Sequence, residues 1–166
     1  RSERSVEYTA GELSRLVSVL EDITGRKLDL GRLQEAMRYS NQAHEYVLKL
    51  NALRQTVPSP YSSLEMITEY GVLLNLAGTP ELVDYLRRMY EWAKAKVERG
   101  EGRLSDEKLR LVWIYGAVTF EMGIFNWLEE EYGAVSVSHM NNNFVIQPVE
   151  DISTLGSILR GLARKV

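Results

Sequence analysis

From Thr9 to Val97 the apolar positions recur every three or four residues, the period of one face of a helix. Leu13, Leu16, Val17, Leu20 and Ile23 follow a Thr9-x-x-Glu12 capping box, and Gly25 supplies a stop. Asp29 is a good N-cap for a second helix predicted to run to about Arg54. On it Leu33, Met37, Ser40, His44, Val47 and Asn51 share one stripe, partly polar where a core seam is ordinarily apolar. Pro58 and Pro60 break that helix. Ser62-x-x-Glu65 is a second capping box, opening a helix through Met66, Ile67, Tyr70, Leu73 and Leu74 that Gly78 ends. Thr79-Pro80 then sets an N-cap before a proline at the first helical position, and Val83, Leu86, Tyr90, Ala93 and Val97 follow. Four helices with short connections predict a helical bundle or helical subdomain.

Beyond the linker Gly100 to Ser105 the period changes. Leu109 to Tyr115 is a β-type apolar run, Gly116 to Thr119 a turn, Phe120 to Tyr132 an amphipathic helix stopped by Gly133, and Ala134 to His139 a second strand. This is one parallel β-α-β unit. Met140 to Val149, with Asn141, Asn142 and Asn143, reads as a loop with room for a short strand at Phe144 to Gln147, and Ser153 to about Lys165 as a final helix. The fold class expected is α/β with a large helical part: a helical subdomain over residues 1–103, then the opening β-α-β unit of a parallel, flavodoxin- or Rossmann-like sheet over 104–166. Parallel sheets are buried on both faces, so two strands alone predict a partial α/β domain belonging to a larger protein.

Composition narrows the function classes. The 166 residues carry a net charge of −3, which gives no basic footprint for nucleic acid. No run approaches the ~18 apolar residues of a membrane span, and the start RSERSVEYTAGEL lacks the apolar core of a signal peptide, so a cytoplasmic setting is expected. The absence of cysteine excludes disulfides and thiolate metal ligands within the chain. His44 and His139 are the only histidines, too few for a histidine-rich zinc site.

Ligands of open α/β sheets bind at the carboxyl ends of the strands. Those ends offer Gly116, Ala117, Val118 and Thr119 after the first strand, and Ser138 and His139 at the end of the second, as candidate substrate-binding residues. A helix N-terminus after Gly116 favours an anion. Thr119 reads equally as the cap of that helix. The turn is neither GxGxxG nor a lysine-bearing phosphate loop. His139 reads as a ligand or acid–base group, or as a strand-end histidine bonded to a neighbouring loop. His44, with Asn41 and Asn51, reads as an internally satisfied polar cluster or as a substrate-facing patch. Glu129, Glu130 and Glu131 are expected on a solvated helix face, with a catalytic carboxylate pair as the alternative. Trp92, Trp113 and Trp127 are expected to pack, Trp113 against a helix layer and Trp127 against a partner if exposed.

Two stretches resemble a known family: LSRLVSVLEDITGRKLDLGRLQEAMRYSNQA followed by LRQTVPSPYSSLEM, and LVWIYGAVTFEMGIFNWLEEEYGAV. The Thr24-Gly25-Arg26-Lys27-Leu28 helix stop, the Ser40-Asn41 pair, the Pro58 to Pro60 break and the helix end Glu129 to Val135 carry the likeness. It is to the iron–sulfur subunits of the 2-hydroxyacyl-CoA dehydratase and benzoyl-CoA reductase family. Leu13 to Glu98 resembles the helical connector between that family's two α/β domains, and Leu111 onward the opening of the second, over about nine tenths of the chain in all.

The resemblance implies one-electron radical chemistry on an acyl-CoA thioester, as a lyase or an oxidoreductase. It implies a [4Fe–4S] cluster in the full-length parent, a second homologous subunit and an ATP-dependent activator protein. Gly116 to Thr119 with Ser138 and His139 would line the cleft that receives the acyl-CoA. This chain departs from the pattern in having no cluster cysteine. It is therefore expected to be an inactive central piece, or a cysteine-free paralogue acting as a non-catalytic structural or binding module. An open sheet edge also makes self-association an expectation.

Overall fold

The computed structural model describes residues 2–114, 118, 120–140 and 148–165. Its elements run α1 (Glu3–Thr24), α2 (Leu30–Arg54), α3 (Ser63–Asn75), α4 (Pro80–Glu98), β1 (Leu109–Trp113), α5 (Gly123–Tyr132), β2 (Ala134–His139) and α6 (Leu155–Ala163). This is the expected helical N-terminal part followed by a two-stranded parallel unit. The Phe144 to Gln147 strand and Asn141 to Asn143 lie outside the described residues.

Local chemistry sets most boundaries. Asp29 Oδ1 accepts from the Arg32 N–H at 3.1 Å and caps α2. At α3 the capping box is complete: Glu65 N–H donates to Ser62 Oγ (3.1 Å) and Ser62 N–H to Glu65 Oε2 (2.8 Å). Thr79 caps α4 ahead of Pro80. Gly133, at φ 60°, is needed twice over. It closes α5 in the left-handed region, and a Cβ there would meet the Asp106 carbonyl at 3.0 Å. Two boundaries differ most from expectation. α1 begins six residues before Thr9, capped by Ser2, because Val6 and Ala10 pack against α6 and extend the helical register backwards. α5 begins at Gly123 and not at Phe120, whose ring is exposed.

The helices do not form one four-helix bundle. α2 and α4 enclose the main core, where Ala43, Val47, Leu50, Tyr61, Leu73, Leu82, Leu86 and Ala93 are buried together. α1 packs on α6 through Val6, Ala10, Leu159 and Ala163. Arg160 to Glu7 (2.9 Å) and Arg164 to Glu3 (3.2 Å) show that these two helices run antiparallel. α6 also reaches α2, where Met37, Val149 and Ile158 are buried. α3 and α5 cover β2.

β1 and β2 pair in parallel from Leu109↔Ala134 to Trp113↔His139, with an irregularity between Leu111 and Val112. Ala134, Val135 and Ser136 of β2 are buried, whereas Val112 and Ile114 stand 61% and 75% exposed. The helix layer over the sheet is apolar: Met66, Ile67 and Phe125 are buried there. Trp113 meets Phe125 edge-on at 5.0 Å, the helix-facing role expected of it.

Among the described residues one ion pair is fully inside. Arg54, at the end of α2, bonds Glu69 of α3, and both are 0% exposed. Arg54 also donates to Asn51 Oδ1 at 2.7 Å and lies over the Tyr61 ring at 4.7 Å. Burial, reinforced by the Glu69 charge, pushes the Tyr61 hydroxyl well above its usual range. Removing one member leaves the other charged and buried, at a cost of about 3–5 kcal/mol. Glu69→Ala is expected to lower unfolding stability by that amount in urea titrations, and Arg54→Met with Glu69→Leu to recover most of it. Equal losses in the single and double variants would contradict this reading of the pair.

Candidate functional site

β2 positions the candidate residues. Pairing of Trp113 with His139 and of Val112 with Ser138 brings both strands to the same sheet edge at the same level. Trp113 and His139, the last residues of the two strands, therefore end the sheet side by side. Val118 is half-buried, while Gly116, Ala117 and Thr119 lie outside the described residues. Ser138 is half-buried and His139 is 1% exposed. The His139 ring sits 6.4 Å from the Tyr70 ring of α3, tilted by 40°. Burial lowers its pKa, so the imidazole is neutral at neutral pH. A neutral imidazole and a hydroxyl can donate to or accept from a polar ligand atom. They supply no fixed charge.

What holds this edge in place is a carboxylate expected in solvent. Glu129 is 1% exposed. Its Oε1 accepts the Ser63 N–H at the first turn of α3, and its Oε2 accepts Arg103 Nε at 2.8 Å. Ser63 Oγ in turn accepts the Ser136 N–H of β2 at 2.8 Å. α5, α3, β2 and the linker arginine thus share one relay, centred on the buried carboxylate. Glu130 and Glu131 are exposed, so the acidic run divides into one internal residue and two solvated ones. The available signal was the spacing: Glu129 lies one turn after Phe125, on the face that α5 buries.

The linker is tied down by neighbouring bonds. Arg103 N–H donates to the Ser59 carbonyl at 2.7 Å, Ser59 N–H to Glu107, and Lys96 Nζ to the Pro60 carbonyl at 2.8 Å. Arg110 donates to the Thr56 and Arg54 carbonyls, each at 3.1 Å. The proline break between α2 and α3 is therefore a fixed platform under the α3 N-terminus.

The polar stripe of α2 does not assemble into one cluster. Asn41 bonds both backbone groups of Val149, at 2.9 and 3.0 Å, and Asn51 serves Arg54. His44 is buried and hydrogen-bonds neither, and burial, aided by the Lys165 charge, lowers its pKa. Trp127 is half exposed and edge-on to Tyr132 at 5.0 Å. Among the described residues no cluster of three His, Asp or Glu side chains is placed to hold a metal ion, and no helix is long and apolar enough to cross a membrane.

A family model described as 2-hydroxyglutaryl-CoA dehydratase, D-component, matches residues 1–166. The chain is also similar to the (R)-phenyllactyl-CoA dehydratase alpha subunit of Clostridium sporogenes, at 24% identity over 113 residues. That match covers 68% of this chain and 28% of the clostridial protein, so the matched part spans less than a third of the relative's length.

The lowered histidine pKa values carry a signed consequence. Folded His139 and His44 bind protons less readily than they do unfolded, where the imidazole pKa is about 6.5. Their contribution to stability is complete above that value and is lost as pH falls below it. The urea midpoint is expected to drop between about pH 7.5 and 5.5, and His139→Gln to make that drop smaller. An identical drop in the variant would contradict a neutral buried His139.

Proposed function

This chain belongs to the 2-hydroxyglutaryl-CoA dehydratase D-component family, and on that premise we propose that it is the connector and cleft-edge portion of an acyl-CoA dehydratase component. Residues 1–103 are the helical connector and 104–166 the opening of an α/β domain. The observation that carries the reading is the level ending of β1 and β2. It supports a site formed by Gly116 to Thr119 together with Ser138 and His139, at the strand ends where α/β proteins bind ligands. The substrate class is a 2-hydroxyacyl-CoA thioester. Ser138 and neutral His139 contribute polar, uncharged contacts to the acyl or thioester part. The wider assembly includes a partner subunit and an ATP-dependent activator protein in the cytoplasm.

A [4Fe–4S] cluster does not fit the residues of this chain. Such clusters are held by cysteine thiolates, and the chain has no cysteine. We assign cluster binding and the electron-transfer step to sequence beyond these 166 residues, and the chain on its own to an inactive state. The second reading, a non-catalytic docking module of the same family, is favoured by that lack of thiolates.

The test is steady-state kinetics of the dehydratase component containing this chain, assembled with its partner subunit. Ser138→Ala is expected to raise KM for the 2-hydroxyacyl-CoA by roughly two- to tenfold, the effect of one neutral hydrogen bond, with little change in stability. His139→Gln is expected to act in the same direction. Unchanged KM and kcat in both variants, with normal melting temperatures, would remove these residues from the cleft and favour the docking-module reading.

A further inference from the structure

His44 belongs neither to the strand ends nor to the internal polar bonds of α2. It is 8% exposed, and its Nδ1 is buried with no hydrogen-bond partner among the described residues. Asn41 and Asn51, on the same stripe, are both engaged by the protein itself. Buried polar groups are ordinarily paired, so a ring nitrogen kept inside without a partner stands against a stability cost.

The chain just past α6 brings an ammonium to the same place. Gln34 donates to the Ile152 and Ser153 carbonyls, at 2.9 and 3.1 Å, ahead of α6. Further along both helices Met37 packs with Ile158, and Leu162 joins that cluster. α2 and α6 therefore run in the same direction. Arg164 keeps a right-handed helical conformation after α6, and the Lys165 N–H donates to the Leu162 carbonyl at 2.9 Å. Lys165 thus lies one hydrogen-bonded turn beyond Leu162, and its charge reaches His44. The side chain is half-buried, and burial pulls its pKa down with no carboxylate opposing the shift.

We propose that His44 and Lys165 form a binding site for a phosphate group carried by a small-molecule ligand. Both side chains offer N–H donors, one from the neutral imidazole and three from the ammonium. The nearby acids of α1 are committed elsewhere: Glu3 to Arg164 at 3.2 Å and Glu7 to Arg160 at 2.9 Å. Glu45, whose charge His44 feels, is exposed and screened by solvent. A phosphate has oxygens on several sides, so one group can accept from donors that approach from two different elements. A carboxylate has two oxygens in one plane. The phosphate charge also offsets the desolvation of the ammonium. The site stands independently of the strand-end reading.

With only two histidines in the chain, imidazole NMR signals report the site directly. Titration of the full chain with inorganic phosphate is expected to shift the His44 signal to saturation and to move its titration midpoint to higher pH, because a bound anion favours the imidazolium. The His139 signal is expected to stay in place, and His44→Gln to identify the signal that moves. Lys165→Met is expected to weaken phosphate binding by about tenfold or more, the loss of one charge-assisted hydrogen bond, with unchanged circular dichroism. Lys165→Arg is expected to retain most of it. Coenzyme A competing with phosphate assigns the group to the thioester substrate proposed above. Phosphate binding that coenzyme A leaves unchanged assigns it to a smaller phosphate compound. The proposal is overturned by a His44 signal that does not saturate at tens of millimolar phosphate, by unchanged affinity in Lys165→Met, or by acetate binding as tightly as phosphate. None of these results bears on Ser138 and His139, so the strand-end reading stands or falls separately.

Discussion

Glu129 carries a carboxylate into the interior, which is costly unless its oxygens meet donors. Here both do. One oxygen takes the Ser63 N–H at the positive end of α3, and the other takes the Arg103 guanidinium from the linker. Since Ser63 also accepts from Ser136 of β2, the bond is not local. It fixes where α5 crosses, where α3 begins and how far β2 advances. The level ending of the two strands, on which the functional reading rests, depends on that relay being made.

The Arg54–Glu69 pair does related work one layer away. It joins the end of α2 to the middle of α3, across the proline break. With Arg110 and Lys96 bonding the break's carbonyls, the segment from Thr56 to Ser62 becomes a platform. The helical part and the β-α-β part are therefore coupled through buried charge as well as through the apolar layer of Met66, Ile67 and Phe125. A substrate held at the strand ends would be held against a frame whose position the linker determines.

Much of this frame is legible in the sequence because caps and stops are local. Asp29, the Ser62–Glu65 box, Thr79-Pro80 and Gly133 each act through a bond within a few residues, and each stands where it was expected. Thr9-x-x-Glu12 has the same local form but lies inside α1, because packing on a helix nearly 150 residues later decides where α1 starts. Glu129 departs from expectation for the same kind of reason. A glutamate at a helix end is ordinarily solvated, and its burial depends on Arg103 and Ser63, which no local pattern ties to it. Ser138 and His139 stand at the end of β2, as the strand pattern predicts, while Gly116, Ala117 and Thr119 fall outside the described residues.

The relay is tested most directly by amide hydrogen exchange in Glu129→Gln. An amide side chain keeps the size but weakens both charge-assisted bonds. The Ser63 and Ser136 amides are expected to lose protection together, with the α1–α6 amides unchanged. Unchanged protection at Ser63 and Ser136, or loss spread evenly over the chain, would contradict the claim that this carboxylate positions the sheet edge.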